Sequence, residues 1–306
     1  MQISNLPFIA FHPIFKHPLP EGHRFPMIKY ELLPKQLLLE GVVTEDDFFT
    51  AEIIDKKFLK EIHDEDYMKR LFNLSLDKKE IRRIGFPLSE QLIERELRIA
   101  DGTIRAALVA LENGIGFNIA GGTHHAGFDW GEGFCLLNDQ AIAAGYLVRY
   151  QGLKKILIID LDVHQGNGTA NIFQNDNRVF TFSMHGQNNF PFEKEISDKD
   201  VGLPDGILGE VYLTILKNEL DTLFETVQPE FVFYQSGVDV LESDKMGKLK
   251  LTLDDCRTRD NMIFDFCKKY ELPVQVSMGG GYSKSLNAIV NAHCNTFKEG
   301  IAILGS

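Results

Sequence analysis

Cysteine is sparse in this chain, and its four occurrences, Cys135, Cys256, Cys267 and Cys294, stand far apart. No C-x-x-C pair exists, which argues against a cysteine zinc site, and 306 residues need no disulfide staples to bury a core. Reduced thiols in a cytoplasmic compartment are therefore expected. Basic residues are also in deficit: 32 Lys and Arg against 44 Asp and Glu give a formal net charge of -12. Direct nucleic-acid binding, which needs a basic surface, is not expected. No apolar run is long enough to span a bilayer. The N-terminal stretch MQISNLPFIAFHPIF lacks a basic n-region, and prolines and a histidine break it, so it does not read as a signal peptide. Repeats, low-complexity stretches and Pro/Ser-rich linkers are absent too, so one domain over residues 1–306 is expected.

What is present is an alternation of short apolar runs and longer amphipathic ones. Residues 7–11, 115–120, 156–162, 178–184, 230–236 and 273–278 are short, apolar and β-branched or aromatic, as strands buried on both faces are. Residues 90–113, 139–151, 208–227 and 254–270 read as helices between them. This alternation predicts an α/β fold with a parallel sheet covered on both faces. Residues 12–89 are less regular, and HPIFKHPLPEGHRFP suggests surface loops walling a pocket. Reactive residues cluster after strands: AGGTHH, DVHQGNG, SGVD and GGGY each follow an apolar run. Ligands of open α/β sheets sit beyond such carboxyl ends, so four strand ends deliver chemistry to one rim.

Strand alternation puts Asp160, Asp162 and His164 on one face of a buried strand. Three ionisable groups there need compensation, either by a divalent cation or by a buried ion-pair network. A catalytic zinc takes three protein ligands and leaves room for water; Asp162 and His164 supply two. Asp239, just past another strand, is the candidate third, although alone it reads as a helix cap or loop carboxylate. His124 and His125 suit acid/base work at neutral pH, while an isolated His-His pair is more often a polar turn. The run Gly279-Gly280-Gly281-Tyr282 lacks the Gly-Lys-Ser/Thr of a phosphate loop, and Gly166-x-Gly168 lacks a third glycine at Asn171. A tyrosine hydroxyl placed over a metal, donating to an oxyanion, fits GGGY better. His12, His17, His23, His63, His185 and His293 have no such context and are expected in loops or at the surface, His185 nearest the rim.

GGTHHAGFDWGEGFC, IIDLDVHQGNGT, SGVD and GGGY, in this order, resemble the histone deacetylase family. The Gln165 and Asn167 of DLDVHQGNG look most like its class IV branch and bacterial histone deacetylase-like amidohydrolases. The likeness covers nearly all of the chain after about residue 85. It implies an arginase-like three-layer α/β/α sandwich around a mainly parallel sheet. It further implies a zinc-dependent amidohydrolase that removes acyl groups from lysine side chains, with acyl-lysine peptides or small acylated amines as partners.

Residue by residue, Asp162, His164 and Asp239 match the family's zinc ligands, and ferrous iron suits the same donors. His124 and His125 match the tandem histidines, and Tyr282 the tyrosine that polarises the carbonyl. Gly133 and Phe134 match the acyl-lysine channel. Asp160, Ser183 and Met184 match a structural potassium site, with Asp160 and Asn167 also supporting the histidines. Two departures stand out. Asn167 replaces the aspartate that pairs with the second histidine in class I members, so His125 should have a lower pKa. No match to the substrate-gripping loop aspartate appears near Gly85-Phe86-Pro87. A two-metal ureohydrolase would need further aspartates, typically Asp-x-Asp at this strand end, where Val238-Asp239-Val240 offers one carboxylate, and a non-catalytic acyl-lysine reader would not need Tyr282 with both histidines.

Overall fold

The structure, a computed structural model, describes residues 7–305; Met1–Leu6, which begin the stretch weighed above as a leader, and Ser306 lie outside the described residues. The strands are β1 (Ile9–Phe11), β2 (Phe48–Thr50), β3 (Ile115–Asn118), β4 (Ile156–Asp160), β5 (Val179–Gly186), β6 (Lys199–Leu203), β7 (Phe231–Gly237) and β8 (Val274–Gly279). The helices are α1 (Lys29–Leu39), α2 (Glu65–Phe72), α3 (Lys78–Ile84), α4 (Glu90–Asn113), α5 (Asp139–Tyr146), α6 (Asn167–Phe173), α7 (Gly209–Val227), α8 (Leu253–Lys269) and α9 (Leu286–Leu304). Among the described residues, eight strands form one parallel sheet in the order β2-β1-β3-β8-β7-β4-β5-β6.

Strand β3 shows how the layers form. Gly116 faces α4 so closely that a Cβ would sit 2.1 Å from the Ala106 carbonyl oxygen. Its neighbour Phe117 points the other way and stacks on Phe297 of α9, with ring centroids 4.4 Å apart. Alternate residues of one strand thus meet helices on opposite faces, which is a three-layer α/β/α sandwich. Helix α4 begins where Ser89 accepts the N–H of Leu92 and ends at Gly114 in the left-handed region. The central strands β3, β4, β7 and β8 are buried throughout.

Several expectations need correction. Residues 12–89 are not only loops: they form α1, α2, α3 and the edge strand β2. The helix read over 139–151 is α-helical only to Tyr146 and then loosens into a π turn. His17, His63, His185 and His293 are buried, not at the surface. His63 Nδ1 meets the Gly127 carbonyl and its Nε2 accepts the N–H of Asn138, so it staples distant loops as a neutral ring. Burial pushes its pKa down to about 4. His12 and His23 are half-buried, and each accepts a nearby backbone N–H. No helix among the described residues is long and apolar enough to cross a membrane.

Candidate metal centre and channel

The carboxyl ends of β3, β4, β7 and β8 meet in one buried pocket lined by His124, His125, Asp162, His164, Asp239 and Tyr282. Strand β4 stops at Asp160, so pleat alternation is not what gathers its ionisable residues. Two successive side-chain turns do so instead: Asp160 Oδ1 accepts the N–H of Asp162 at 3.0 Å, and Asp162 Oδ1 accepts that of His164 at 2.9 Å. Arg259, fully buried, donates to the carbonyls of Leu161 and Gly237 beside this bend and pairs with Asp260. A paired cation thus satisfies backbone acceptors left where β4 and β7 part.

His164 Nδ1 lies 3.0 Å from Asp162 Oδ1 and 3.1 Å from Asp239 Oδ2. Donor atoms of these three residues all fall within 4.8 Å of one another. Asp239 Oδ1 accepts the N–H of Val163 at 3.0 Å, whereas its buried Oδ2 makes no well-aligned hydrogen bond and faces His164 Nδ1. Gly280 keeps that oxygen open, since a Cβ there would lie 2.0 Å from it. Burial and the Asp162 charge push the Asp239 pKa up to about 7. The His164 pKa is driven up to about 10: burial opposes its charge, but the two carboxylates outweigh burial. The cluster therefore draws in positive charge. Two carboxylates and a neutral imidazole match a divalent cation in charge and donor type.

Asp160 does not join these donors. Its Oδ2 holds His124 Nδ1 at 2.7 Å, which fixes Nδ1–H as the donor and leaves Nε2 free. Burial opposes charge on His124, but Asp160 and Asp162 push its pKa up to about 9. His125 Nδ1 donates to Asn167 Oδ1 at 2.6 Å, at the start of α6. Burial, then the charges of His124 and His164, hold the His125 pKa well below the ordinary value. Two adjacent rings, with centroids 4.1 Å apart, are thus biased oppositely: carboxylates raise His124, whereas burial and the neighbouring cations lower His125 and the Asn167 bond offsets them only in part. The backbone bearing them is tied to Asp139, whose Oδ1 accepts from both Thr123 N and Thr123 Oγ1. Tyr282 is half-buried as a residue, and desolvation of its hydroxyl with the Asp239 and Asp162 charges keeps that hydroxyl protonated.

Gly133 and Phe134 lie against this group. A Cβ on Gly133 would be 2.6 Å from His125 Cδ2. Phe134 holds a φ of +69°, strained for an aromatic residue, and its N–H bonds to the Ile84 carbonyl at 2.7 Å. Asp160 and Ser183 are register partners across β4 and β5, and Met184 follows, buried. Ser183 Oγ lies 3.0 Å from His185 Nδ1. Phe86 is turned inward, with its ring centroid 5.1 Å from that of Phe134, and His23 binds the Gly85 carbonyl.

The histone deacetylase domain model matches residues 23–297. The chain belongs to the histone deacetylase family. Histone deacetylase 2 of Arabidopsis thaliana is 30% identical over 278 residues, covering 88% of this chain and 72% of that one. An uncharacterized protein of a Picosynechococcus strain is 43% identical over 285 residues, covering 93% of this chain and 95% of the other. The crystal structure of an HDAC homolog from Aquifex aeolicus superposes with a TM-score of 0.81 at 24% identity, covering 97% of this chain and 83% of that one. The fold of this family member is thus the arginase-like deacetylase sandwich, and membership supports a deacetylase function.

Residues not assigned to the site from sequence lie in or beside the pocket. Phe190 sets its ring at 81° to His125 with centroids 5.1 Å apart, facing the site from the loop after β5. An aromatic pair, Phe190 and Phe192, inside an otherwise polar strand-end loop was the available clue. Gln165 braces that loop by donating to the Glu195 carbonyl at 2.7 Å and to Asp200 at 2.9 Å. Lys29, buried at the start of α1, donates to the Gly280 carbonyl and packs on Phe25, Tyr30 and Tyr282. Burial pushes its pKa down to about 8.

Proposed function

We propose that this protein is a metal-dependent amidohydrolase that removes acyl groups from N-acyl-lysine side chains. The observation that carries the reading is the convergence of Asp162, His164 and Asp239 with His125 and Tyr282 in one buried pocket. A divalent ion held by those three residues, zinc or ferrous iron, supplies Lewis acidity towards the hydrolytic water and the amide carbonyl.

The chain's own residues do the rest. His125, neutral at pH 7 and oriented through Asn167, takes the proton of the attacking water at Nε2. Tyr282 donates a hydrogen bond from its phenolic hydroxyl to the oxyanion that develops on the acyl carbonyl oxygen as water adds to the carbon. His124, carrying a proton and held by Asp160, stabilises negative charge, and His125 gives the proton taken from water to the amine nitrogen as the C–N bond breaks, leaving the free amine and a carboxylate. Gly133, Phe134 and Phe190 wall the slim aliphatic stem of the substrate. Asp160, Ser183 and Met184 are the proposed potassium site that stiffens the β4–β5 strand ends.

A second reading, hydrolysis of a small acylated amine such as an acetylpolyamine, is favoured by the inward turn of Phe86. That segment offers no carboxylate to grip a peptide backbone. The test is turnover by zinc-loaded protein of lysine peptides carrying acetyl to myristoyl groups, beside an acetylpolyamine, with a chelator control. Chelator-sensitive release from the peptides is expected. Release from the acetylpolyamine alone would move the substrate class, and no release from any substrate would contradict the enzyme reading.

A further inference from the structure

Tyr282 reaches the pocket from a permissive stretch of backbone. Gly280 and Gly281, just before it, adopt φ values of +52° and +92°, and nothing in two glycines fixes the direction of the residue that follows. What fixes it comes from another loop, between β7 and α8. Asp244 Oδ2 accepts the N–H of Tyr282 at 2.6 Å. The other oxygen, Oδ1, accepts the N–H of Met246 at 2.8 Å and of Gly247 at 3.0 Å. One residue away on each side, Ser243 Oγ and Ser283 Oγ lie 2.8 Å apart.

This carboxylate is seated on the metal-ligand strand end. Gly247, which it binds, packs so tightly that a Cβ would lie 1.9 Å from the Asp239 carbonyl oxygen. Asp244 therefore ties the backbone of Tyr282 to a turn resting on the backbone of Asp239. We propose that Asp244 is a positioning residue for Tyr282, holding the phenol in register with the donors of the metal centre. The inference rests on the reading of Tyr282 as the oxyanion donor. Geometry is what such a donor contributes: hydrogen bonds weaken steeply with misalignment, and a displacement of about 1 Å can cost on the order of 100-fold in rate.

The role calls for a carboxylate. Three N–H donors converge on two oxygens, so an amide in its place keeps one acceptor oxygen and turns its NH2 towards a remaining donor. With its oxygen kept on Met246 and Gly247, Asp244→Asn preserves the turn and loses the bond to Tyr282. The test is steady-state kinetics of the zinc-loaded full chain on an acetyl-lysine peptide, for wild type, Asp244→Asn, Tyr282→Phe and the double variant. Asp244→Asn should lower kcat roughly 10- to 100-fold with KM nearly unchanged. In the Tyr282→Phe background the same substitution should have almost no further effect on kcat, the signature of two residues acting through one interaction.

Equal losses in both backgrounds would show that Asp244 acts independently of Tyr282 and would overturn the proposal. So would wild-type kcat in Asp244→Asn, or a loss traced to missing zinc. If Asp244→Asn does not fold, Asp244→Ser, which keeps one acceptor for the turn, is put through the same cycle with the same expectation. Undiminished kcat in Tyr282→Phe alone is a different result: it would sink the oxyanion reading itself, and this proposal with it.

Discussion

The two sides of the pocket are held by different kinds of force. On the rim side, Asp162, His164, Asp239, His125 and Tyr282 are each aimed by a short polar tie: a side-chain turn, a backbone N–H, an amide or a carboxylate. On the other side Phe25, Tyr30 and Phe86 arrive from the N-terminal third and are held mainly by ring packing. Polar ties are directional and short, so they fix atoms for chemistry; ring packing is broad and fixes the shape of a wall. Substitutions on the rim should therefore lower kcat, and those on the wall should shift KM and acyl preference.

The largest break in that contrast is His164→Ala. It should drop bound metal and turnover to background, read as zinc per chain and rate on the same sample. Next is His125→Ala, expected to lower kcat roughly 100- to 10,000-fold while zinc stays bound. If it instead lost zinc, His125 would belong with the ligands and not with the proton-transfer groups.

A change of pH sharpens the comparison more finely. In the proposed mechanism His125 acts as a base in its neutral form, and burial already holds its pKa low, so activity should persist well below pH 6.5. Asn167→Asp places a carboxylate against Nδ1–H and raises that pKa by roughly 1–3 units. The acid limb of kcat/KM should move to higher pH by a similar amount, with the alkaline limb in place. The smallest effect is expected from Phe25→Leu, which removes ring contacts with Phe86, Phe134 and Tyr282. It should cost about 1 kcal/mol of stability and raise KM a few-fold with kcat nearly intact.

The same division explains what was legible in the sequence. Rim residues sit in motifs a few residues long, each following a buried apolar run, so AGGTHH, DVHQGNG, SGVD and GGGY could be assigned to strand ends without coordinates. Helix α4 was legible because its apolar stripe runs between Ser89 and Gly114, both good caps. Helix α9, which was not among the helices expected from sequence, carries similar signals, a Ser285 cap and a buried stripe through Ile289, His293 and Phe297. The edge strands β2 and β6 are short and partly exposed, so no apolar run marks them. Lys29 and His63 had no local signal at all. Their partners lie 251 residues away at Gly280 and 64 and 75 residues away at Gly127 and Asn138. Burial of a polar side chain depends on such distant partners, which no local pattern encodes. Strand alternation put His164 beside Asp162 but for an incomplete reason, since backbone N–H bonds to the Asp160 and Asp162 carboxylates make the bend that gathers the proposed ligands.

The most direct test of the central claim is a zinc titration of metal-free protein, with deacylation of an acetyl-lysine peptide followed at each addition beside an Asp239→Ala control. Turnover should rise from background in proportion to zinc and level off at one equivalent per chain, while the control stays at background throughout. Full turnover in the metal-free protein, a plateau at two equivalents, or normal activity in Asp239→Ala would contradict the account.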